Sequence, residues 1–248
     1  MVWPQLGTRI MVRYHRPAGS VPPLTDVIGH LLETGANVRV RTKSGEVVDF
    51  SPDDVVTLRI LSDRPVRASE IRALEHADAL AWPSTERQWL GGWLLRAGPG
   101  DTHAANSAVP LDISATQSAI PAIADWYRHR GLVPRLAVPD RLLRLPDEGE
   151  LPHWMMVCDV RVGDTATVES PAAAVTDAHD GTRWVGLASL RELTRESGEA
   201  LLAWGASQGA TRGYVRVAEE DHAAADLARS LGFVLHHHAR YITVAALT

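Results

Sequence analysis

Cysteine and lysine are almost missing from this 248-residue sequence, and each shortage excludes a class of protein. Cys158 is the only cysteine, so no disulfide can form within the chain, and a disulfide-stapled secreted scaffold is excluded. Lys43 is the only lysine among 25 basic residues, and 30 acidic residues bring the net charge to -5. The sequence therefore lacks the basic excess that is typical of a dedicated nucleic-acid-binding protein.

Long apolar runs are missing as well. No window holds the roughly 18 apolar residues that a membrane-spanning helix needs, and Met1–Arg16 lacks the charged start and apolar core of a signal peptide. We therefore expect a cytoplasmic protein with no membrane partner. Hydrophobic residues make up 45% of the chain and charged residues 22%, which is ordinary globular usage for one large or two modest domains.

The first 65 residues carry the pattern of five short strands separated by turn residues. The predicted strands are Thr8–Tyr14, Asp26–Leu32, Asn37–Thr42, Glu46–Phe50 and Val55–Leu61. Five strands in about 55 residues favour a small closed barrel, because closure removes exposed strand edges. We therefore expect an SH3-like β-barrel over residues 1–65, with a domain boundary at Asp63–Pro65.

Helical periodicity begins at Arg67, where Ser69 is the expected N-cap. The predicted helices are Arg67–Ala81, Ile120–Arg130, Glu196–Gln208 and Asp221–Leu231. The predicted strands are Gly92–Ala97, Asn106–Leu111, Leu136–Val138, Trp154–Val160, Trp184–Leu190, Thr211–Val217 and Phe233–Leu247, and Leu145–Pro152 is expected to be a loop. Strands that alternate with helices of this length predict an α/β (α+β) domain over residues 66–248.

Two stretches of this second part resemble a known family. The run Gly209–Val217 is followed by Asp221 and then by Leu231–Phe233, a Leu-Gly-Phe sequence that closes a short helix. Earlier in the chain, Trp93–Gly98 is followed by Ala105–Ser107. These stretches resemble the GCN5-related N-acetyltransferases (GNAT), in particular actinobacterial members with a small barrel in front.

The resemblance implies a GNAT-like mixed-sheet domain, which can be divided into two halves at 66–162 and 163–248. It also implies that this domain uses acetyl-CoA to acetylate an amine of a small molecule or protein. In that family the cofactor lies between two strands that splay apart, which implies contacts from Val185, Gly186, Leu187 and Ala188. Gly186→Val is then expected to block this path and to leave the fold intact, since a β-branched residue suits a strand.

The resemblance also implies a pyrophosphate-binding turn at the start of the next helix, where backbone N–H groups favour an anion. The family's glycine-rich turn is reduced here, and Arg195, Ser197 and Gly198 are the candidates that remain. Glu192, Glu196 and Glu199 would repel phosphate. Asp221 stands where the family commonly has an asparagine at the start of the following helix, and the resemblance implies that it is a further cofactor-binding residue.

The family often places a tyrosine before Leu-Gly-Phe as the acid that protonates the leaving thiolate. That position is Ala228 here. Tyr241, His222 and Tyr214 are the candidates to replace it, and the sequence does not choose among them. The chain is also short for this family between Val160 and Pro171.

Two other features are interpreted as solvated surface. His236–His238 could supply two metal ligands from one strand face, but no third ligand has a characteristic spacing. Arg39, Arg41 and Lys43 could line one face of the barrel and bind an acidic partner or RNA. The main alternative to an acetyltransferase is a degenerate relative that acts as a binding module, and a barrel-led nucleic-acid-binding protein ranks last.

Overall fold

The computed structural model describes residues 3–62, 66–82, 84–100, 102–145, 149–161 and 172–247. It divides the chain into two compact units, Met1–Pro65 and Val66–Thr248. The boundary that the sequence predicts at Asp63–Pro65 falls outside the described residues. None of the described helices is both long and apolar enough to cross a membrane.

Five antiparallel strands form the sheet of the first unit. They are β1 (Arg9–His15), β2 (Leu24–Glu33), β3 (Val38–Thr42), β4 (Val47–Phe50) and β5 (Val55–Ile60). The strand order is β4-β3-β2-β1-β5, so the five predicted strands are confirmed but the predicted closure of the barrel is wrong. One turn of 3-10 helix at Pro52–Asp54 carries the chain from β4 at one edge to β5 at the other.

Arg39, one of the three basic residues considered for an acidic partner, is paired with acidic side chains of its own sheet. Arg39 and Arg41 are exposed and alternate with the buried Val38 and Val40, as the two-residue period of a strand requires. Arg39 donates a hydrogen bond of 2.9 Å to Asp49 on β4 and forms an ion pair of 3.4 Å with Glu33. These contacts leave little free charge at Arg39 for an acidic partner.

A nine-stranded mixed sheet is the centre of the second unit. Its strands are β6 (Glu86–Leu90), β7 (Trp93–Ala97), β8 (Ala108–Pro110), β9 (Arg135–Pro139), β10 (Glu150–Asp159), β11 (Ala173–Asp177), β12 (Arg183–Leu187), β13 (Arg212–Ala218) and β14 (Val234–Thr243). Four helices accompany it: α1 (Ala68–Ala81), α2 (Ile120–Arg128), α3 (Arg195–Ser207) and α4 (His222–Ser230). The strand order is β11-β12-β13-β10-β14-β9-β8-β7-β6, and the predicted α/β class is confirmed.

Helices cover this sheet on both faces. On one face, α1 packs its buried Leu74 and Ala77 against side chains that include Met155, Trp184 and Tyr214. On the other face, α3 comes so close that a Cβ on Gly205 would lie 2.4 Å from the Cβ of Val185. Successive strand residues point to opposite faces, so both faces of β10, β12 and β13 are apolar.

Two differences from the predicted elements bear on the site. The helix α1 has its N-cap at Arg67, not at Ser69, and the backbone N–H of Arg67 donates to the Glu70 carboxylate at 2.7 Å. The strand β10 begins at Glu150, inside the predicted loop Leu145–Pro152. A proline and a bulge interrupt the alternation there, and the period-two signal of the strand was therefore lost.

A candidate active site at the divergence of two strands

A cleft of about 420 Å³ lies in the second unit, at the end of β13. It is lined by Thr102, His103, Ala104, Leu151, His153, Ser189, Leu190, Arg191, Arg216, Val217, Ala218, Asp221, Ala224 and Tyr241. These residues come from strands β10, β13 and β14, from helix α4 and from two connecting segments. Segments far apart in sequence therefore converge on one concave surface.

The cleft begins where β12 and β13 part. Their parallel pairing ends at Leu187 and Val215. Beyond that point Ser189–Arg191 follow one wall of the cleft and Arg216–Ala218 follow the other. Two residues from opposite faces of the sheet line the space. Tyr241 lies on the α1 face, where it interacts with Arg216, and Ala224 of α4 lies on the other face. The parting of the two strands thus opens a passage between the two faces of the sheet.

Tyr241 is held at the cleft by an arginine. An Arg216 guanidinium N–H donates to the Tyr241 hydroxyl oxygen at 2.8 Å, and a second donates to Asp78 of α1 at 2.6 Å. The phenol's own proton is therefore directed elsewhere. Burial raises the pKa of Tyr241, and the charge of Arg216 offsets only part of this rise. The hydroxyl is protonated at neutral pH and can act as a proton donor.

His153 packs against the same tyrosine. Its ring stacks on that of Tyr241, with centroids 5.4 Å apart. Its Nδ1 lies 2.9 Å from the Leu151 carbonyl, which can only accept, so the neutral ring carries its proton on Nδ1. Burial, with a contribution from the charge of Arg216, lowers the pKa of His153 to about 3. The imidazole is therefore neutral at physiological pH.

Leu151 has an unusual backbone that serves this contact. Its φ is +49°, in the left-handed region that L-residues other than glycine seldom adopt. The pairing register of β10 on β14 also shifts between Glu150 and His153, which marks a bulge. Such local strain persists where the surrounding structure holds it in place. Here it accompanies the carbonyl contact that fixes the His153 tautomer.

A second histidine, paired with a carboxylate, also contacts Tyr241. The His103 ring meets the Tyr241 ring edge-on at 5.2 Å between centroids. Its Nε2 is 3.2 Å from one Glu150 carboxylate oxygen, and Thr243 donates to the other at 2.8 Å. These two hydrogen bonds, that from Thr243 first, lower the pKa of Glu150, so the carboxylate is ionised at neutral pH.

Two of the three histidines of β14 are buried, contrary to the prediction of a solvated cluster. The ladder matches Met155 with His237 and Met156 with Leu235, so His236 is an extra residue in a bulge. The bulge breaks the strict alternation of faces, and both His236 and His237 are 5% exposed. His237 pairs with Glu75 of α1 at 2.9 Å. No group of three His, Cys, Asp or Glu within the described part of the chain could hold a metal ion.

The mouth of the cleft carries an ion pair. Arg191 Nε donates to Asp221 Oδ2 at 3.0 Å, and Asp221 Oδ1 accepts from the Ala224 backbone N–H at 3.1 Å, which caps α4. The hydrogen bond from Ala224, and then that from Arg191, lower the pKa of Asp221. Arg191 is 72% exposed in its side chain, so its remaining N–H groups face solvent at the entrance.

The start of α3, where the sequence suggests phosphate contacts, is occupied by the protein itself. Thr194 caps the helix, accepting from the Ser197 N–H, and the Ser197 hydroxyl in turn accepts from the Thr194 N–H. Arg195 pairs with Glu199 at 2.8 Å. Gly198 is buried, and a Cβ there would lie 2.7 Å from Leu231. None of the three candidates Arg195, Ser197 and Gly198 is among the residues that line the cleft.

The structure separates the other sequence candidates. Val185, Gly186 and Leu187 are paired with β11 on one side and β13 on the other, and Ala188 donates its N–H to Ala172. Val185–Leu187 precede the divergence, and none of the four positions lines the cleft.

Of the three catalytic candidates, only Tyr241 lines the cleft. Tyr214 is buried beside Gly186, where a Cβ would lie 2.4 Å from its ring. His222 is exposed at the start of α4.

Sequence reasoning missed four residues of the site: His103, Glu150, His153 and Arg216. His103 and Glu150 were assigned to connecting segments and are 47 residues apart. The alternation of Arg216 with Val215 and Val217 was visible, but its partner Asp78 lies 138 residues away. An arginine between apolar residues of a strand is the available signal, because a charge that is taken partly out of water needs a partner.

The fold and the cleft define an architecture: a small antiparallel unit, followed along the chain by a mixed sheet that opens between two parallel strands and carries helices on both faces. A family model described as "Probable histone acetyltransferase Rv0428c C-terminal" matches residues 68–172 and 157–242. A second model, "Rv0428c N-terminal Sm-like domain", matches residues 4–59. The chain belongs to the Rv0428c family.

Two individual proteins are similar. The "Probable histone acetyltransferase Rv0428c" of Mycobacterium tuberculosis is 52% identical over 291 residues, which cover 97% of this chain and 96% of that protein. A solved GCN5-related N-acetyltransferase from Kribbella flavida is 14% identical, with a TM-score of 0.47, and covers 75% of this chain and 100% of its own. The first alignment is longer than the present chain, so that relative has segments without a counterpart here.

Proposed function

We propose that this chain transfers an acetyl group from acetyl-CoA to an amine in the cleft between β12 and β13. The observation that carries the proposal is Tyr241, a protonated phenol at the cleft whose oxygen accepts from Arg216 at 2.8 Å. A transferase of this class needs an acid for the departing sulfur. Tyr241 is a candidate for that role, in place of the residue that the family has where Ala228 stands here.

The cleft suits the narrow acyl end of the thioester substrate. When bound, acetyl-CoA supplies an activated acetyl carbonyl. Ser189–Arg191 and Arg216–Ala218 line the space after the strand pairing ends, and backbone groups that β12 and β13 no longer share there would favour a polar partner such as the amides of pantetheine. We therefore propose that the contacts suggested for Val185, Gly186, Leu187 and Ala188 extend to the residues that follow them.

The start of α3 is less suited to the pyrophosphate group of acetyl-CoA. The Thr194 cap and the Arg195–Glu199 pair occupy the start of α3, and Arg191 is the arginine at the cleft's mouth. These observations favour weak cofactor binding. They also support a second candidate function, a degenerate acetyltransferase relative that binds a partner without catalysis.

The acceptor that we propose is a lysine side chain of a protein. This rests on the name of the Mycobacterium tuberculosis relative, a probable histone acetyltransferase. The net charge of -5 also favours approach of a cationic acceptor. Asp221 and Glu150 are the carboxylates at or beside the cleft.

Calorimetric titration of the chain with acetyl-CoA and with CoA tests the proposal. Binding, followed by acetylation of a lysine-rich histone-tail peptide, is the expected result. Tyr241→Phe should bind acetyl-CoA normally and lose on the order of 100-fold in kcat, because only the proton donor is removed. A folded chain that binds neither ligand would favour the binding-module candidate.

A further inference from the structure

We propose that His103, oriented by Glu150, is the base that takes the proton from the acceptor amine. This assignment rests on the acetyl transfer proposed above and adds a catalytic residue to it. The observation is that His103 lines the cleft, contacts the ring of the candidate acid Tyr241 and pairs with the Glu150 carboxylate.

The hydrogen bonds of the pair select the tautomer. An ionised Glu150 carboxylate can only accept, so His103 donates from Nε2 across the 3.2 Å contact. The lone pair is then on Nδ1. Thr243 donates to the second Glu150 oxygen and fixes the carboxylate in turn. A base whose orientation is set by a third group is the arrangement that nucleophile activation requires.

Position distinguishes His103 from the other histidine at the cleft. The His153 ring is 5% exposed, and its pKa is lowered to about 3, so it has little tendency to take up a proton. The His103 side chain is 22% exposed and sits on a connecting segment at the cleft wall. It can therefore meet an incoming amine and pass a proton to solvent.

The proton balance of the reaction closes with these groups and solvent. His103 Nδ1 takes one proton from the lysine ammonium and passes it to solvent, and the freed lone pair attacks the thioester carbonyl carbon. The carbon–sulfur bond breaks, and the Tyr241 hydroxyl gives its proton to the departing thiolate. His103 then takes the second proton from the acylated nitrogen and returns it to the Tyr241 phenolate, whose ring lies 5.2 Å from its own. The products are the N-acetylated amine, free CoA and one proton in solvent.

The test compares His103→Gln and Glu150→Gln with wild type in release of CoA thiol, using acetyl-CoA and a lysine-rich histone-tail peptide. His238→Gln is the matched control, because its side chain is 21% exposed and also pairs with a glutamate, Glu219, at 2.7 Å, and it does not line the cleft. Thermal unfolding establishes that each variant is folded, and calorimetry establishes that each variant binds acetyl-CoA.

We expect His103→Gln to lower kcat on the order of 100-fold and Glu150→Gln to lower it by a smaller factor, with His238→Gln unchanged. The His103→Gln deficit should shrink as the pH rises toward about 10, where a lysine amine loses its proton unaided. The groups that can shift this profile are those around His103: Glu150, His153, Tyr241, Arg216 and Arg135.

Two results overturn the assignment. One is a His103→Gln chain with the wild-type rate. The other is a deficit in both variants that stays constant across pH, since a merely structural role does not depend on the protonation of the acceptor. Failure of the underlying function looks different: there the wild-type chain itself binds no acetyl-CoA or transfers nothing.

Discussion

Replacement of His153 should flatten the acid side of the pH–stability curve. In the folded chain burial and Arg216 lower the pKa of His153 from 6.5 to about 3. Between these two values the unfolded chain takes up a proton that the folded chain does not. Stability is therefore fully present above about pH 6.5 and is lost as the pH falls toward about 3.

The magnitude follows from the same two pKa values. One extra proton in the unfolded state changes the free energy of unfolding by about 1.4 kcal/mol per pH unit. Integrated from about pH 7.5 to about pH 5, the loss from His153 alone is about 2 kcal/mol. The side chain is 5% exposed, so solvent screening reduces this figure little. His153→Gln removes the titrating group and keeps an amide that can donate to the Leu151 carbonyl.

The assay is urea unfolding at the two pH values, followed by tryptophan fluorescence. Seven of the eight tryptophans lie after residue 66, so the signal reports mainly on the second unit. The wild-type chain should lose about 2 kcal/mol more on acidification than His153→Gln. His222→Gln, at an exposed histidine of the same unit, should behave as wild type. A difference below about 0.5 kcal/mol between wild type and His153→Gln would refute the reasoning.

Three further predictions concern other parts of the second unit. Gly186→Ala should lower the free energy of unfolding by about 1–3 kcal/mol, because its Cβ would lie 2.4 Å from the Tyr214 ring; chemical denaturation measures this, and added Tyr214→Leu should restore part of the loss. Arg191→Ala should weaken CoA binding more than Arg195→Ala, measured by calorimetry at low and high salt, since only Arg191 lines the cleft; equal effects would contradict this. Leu151→Gly should raise the unfolding free energy by up to about 1 kcal/mol through relief of its positive φ, while lowering the rigidity of the His153 contact; an unchanged or lower stability would argue against strain.

The order of strands and helices could be predicted because each element shows its hydrophobic periodicity within its own short stretch of sequence. Strands such as β3 and helices such as α4 bury one face each, and the two-residue and 3.6-residue periods appear in short windows of sequence. The same argument fails for β6, whose residues Glu86–Leu90 are mostly exposed at the sheet edge. The two-residue period also gives the wrong burial for His236 and His237, because a bulge in β14 buries both of these consecutive residues.

The site could be predicted only in part, because its contacts are set by the register of the sheet. The pairing of β10 with β14 sets Glu150 opposite Tyr241, and no spacing in the sequence contains that relation. The glycine at 186 was interpreted as room for a ligand, with Gly186→Val leaving the fold intact. The structure corrects this: the room is filled by Tyr214, its cross-strand neighbour. A glycine in a strand signals a close approach, but not what approaches.

The proposed acid and the segment suggested for phosphate contacts belong to different parts of the sheet, and this separation has a kinetic consequence. Tyr241 and the two residues that contact it from neighbouring strands, His153 and Arg216, lie on β14, β10 and β13, which are adjacent strands in the middle of the sheet. The segment suggested for phosphate contacts begins α3 after β12, which is one strand from the sheet edge. The Thr194 cap and the Arg195–Glu199 pair occupy that segment, and neither contact involves the central strands. We therefore expect the chain to keep its proton-transfer groups in place and to bind acetyl-CoA weakly, so that the deficit relative to a longer relative appears in KM more than in kcat.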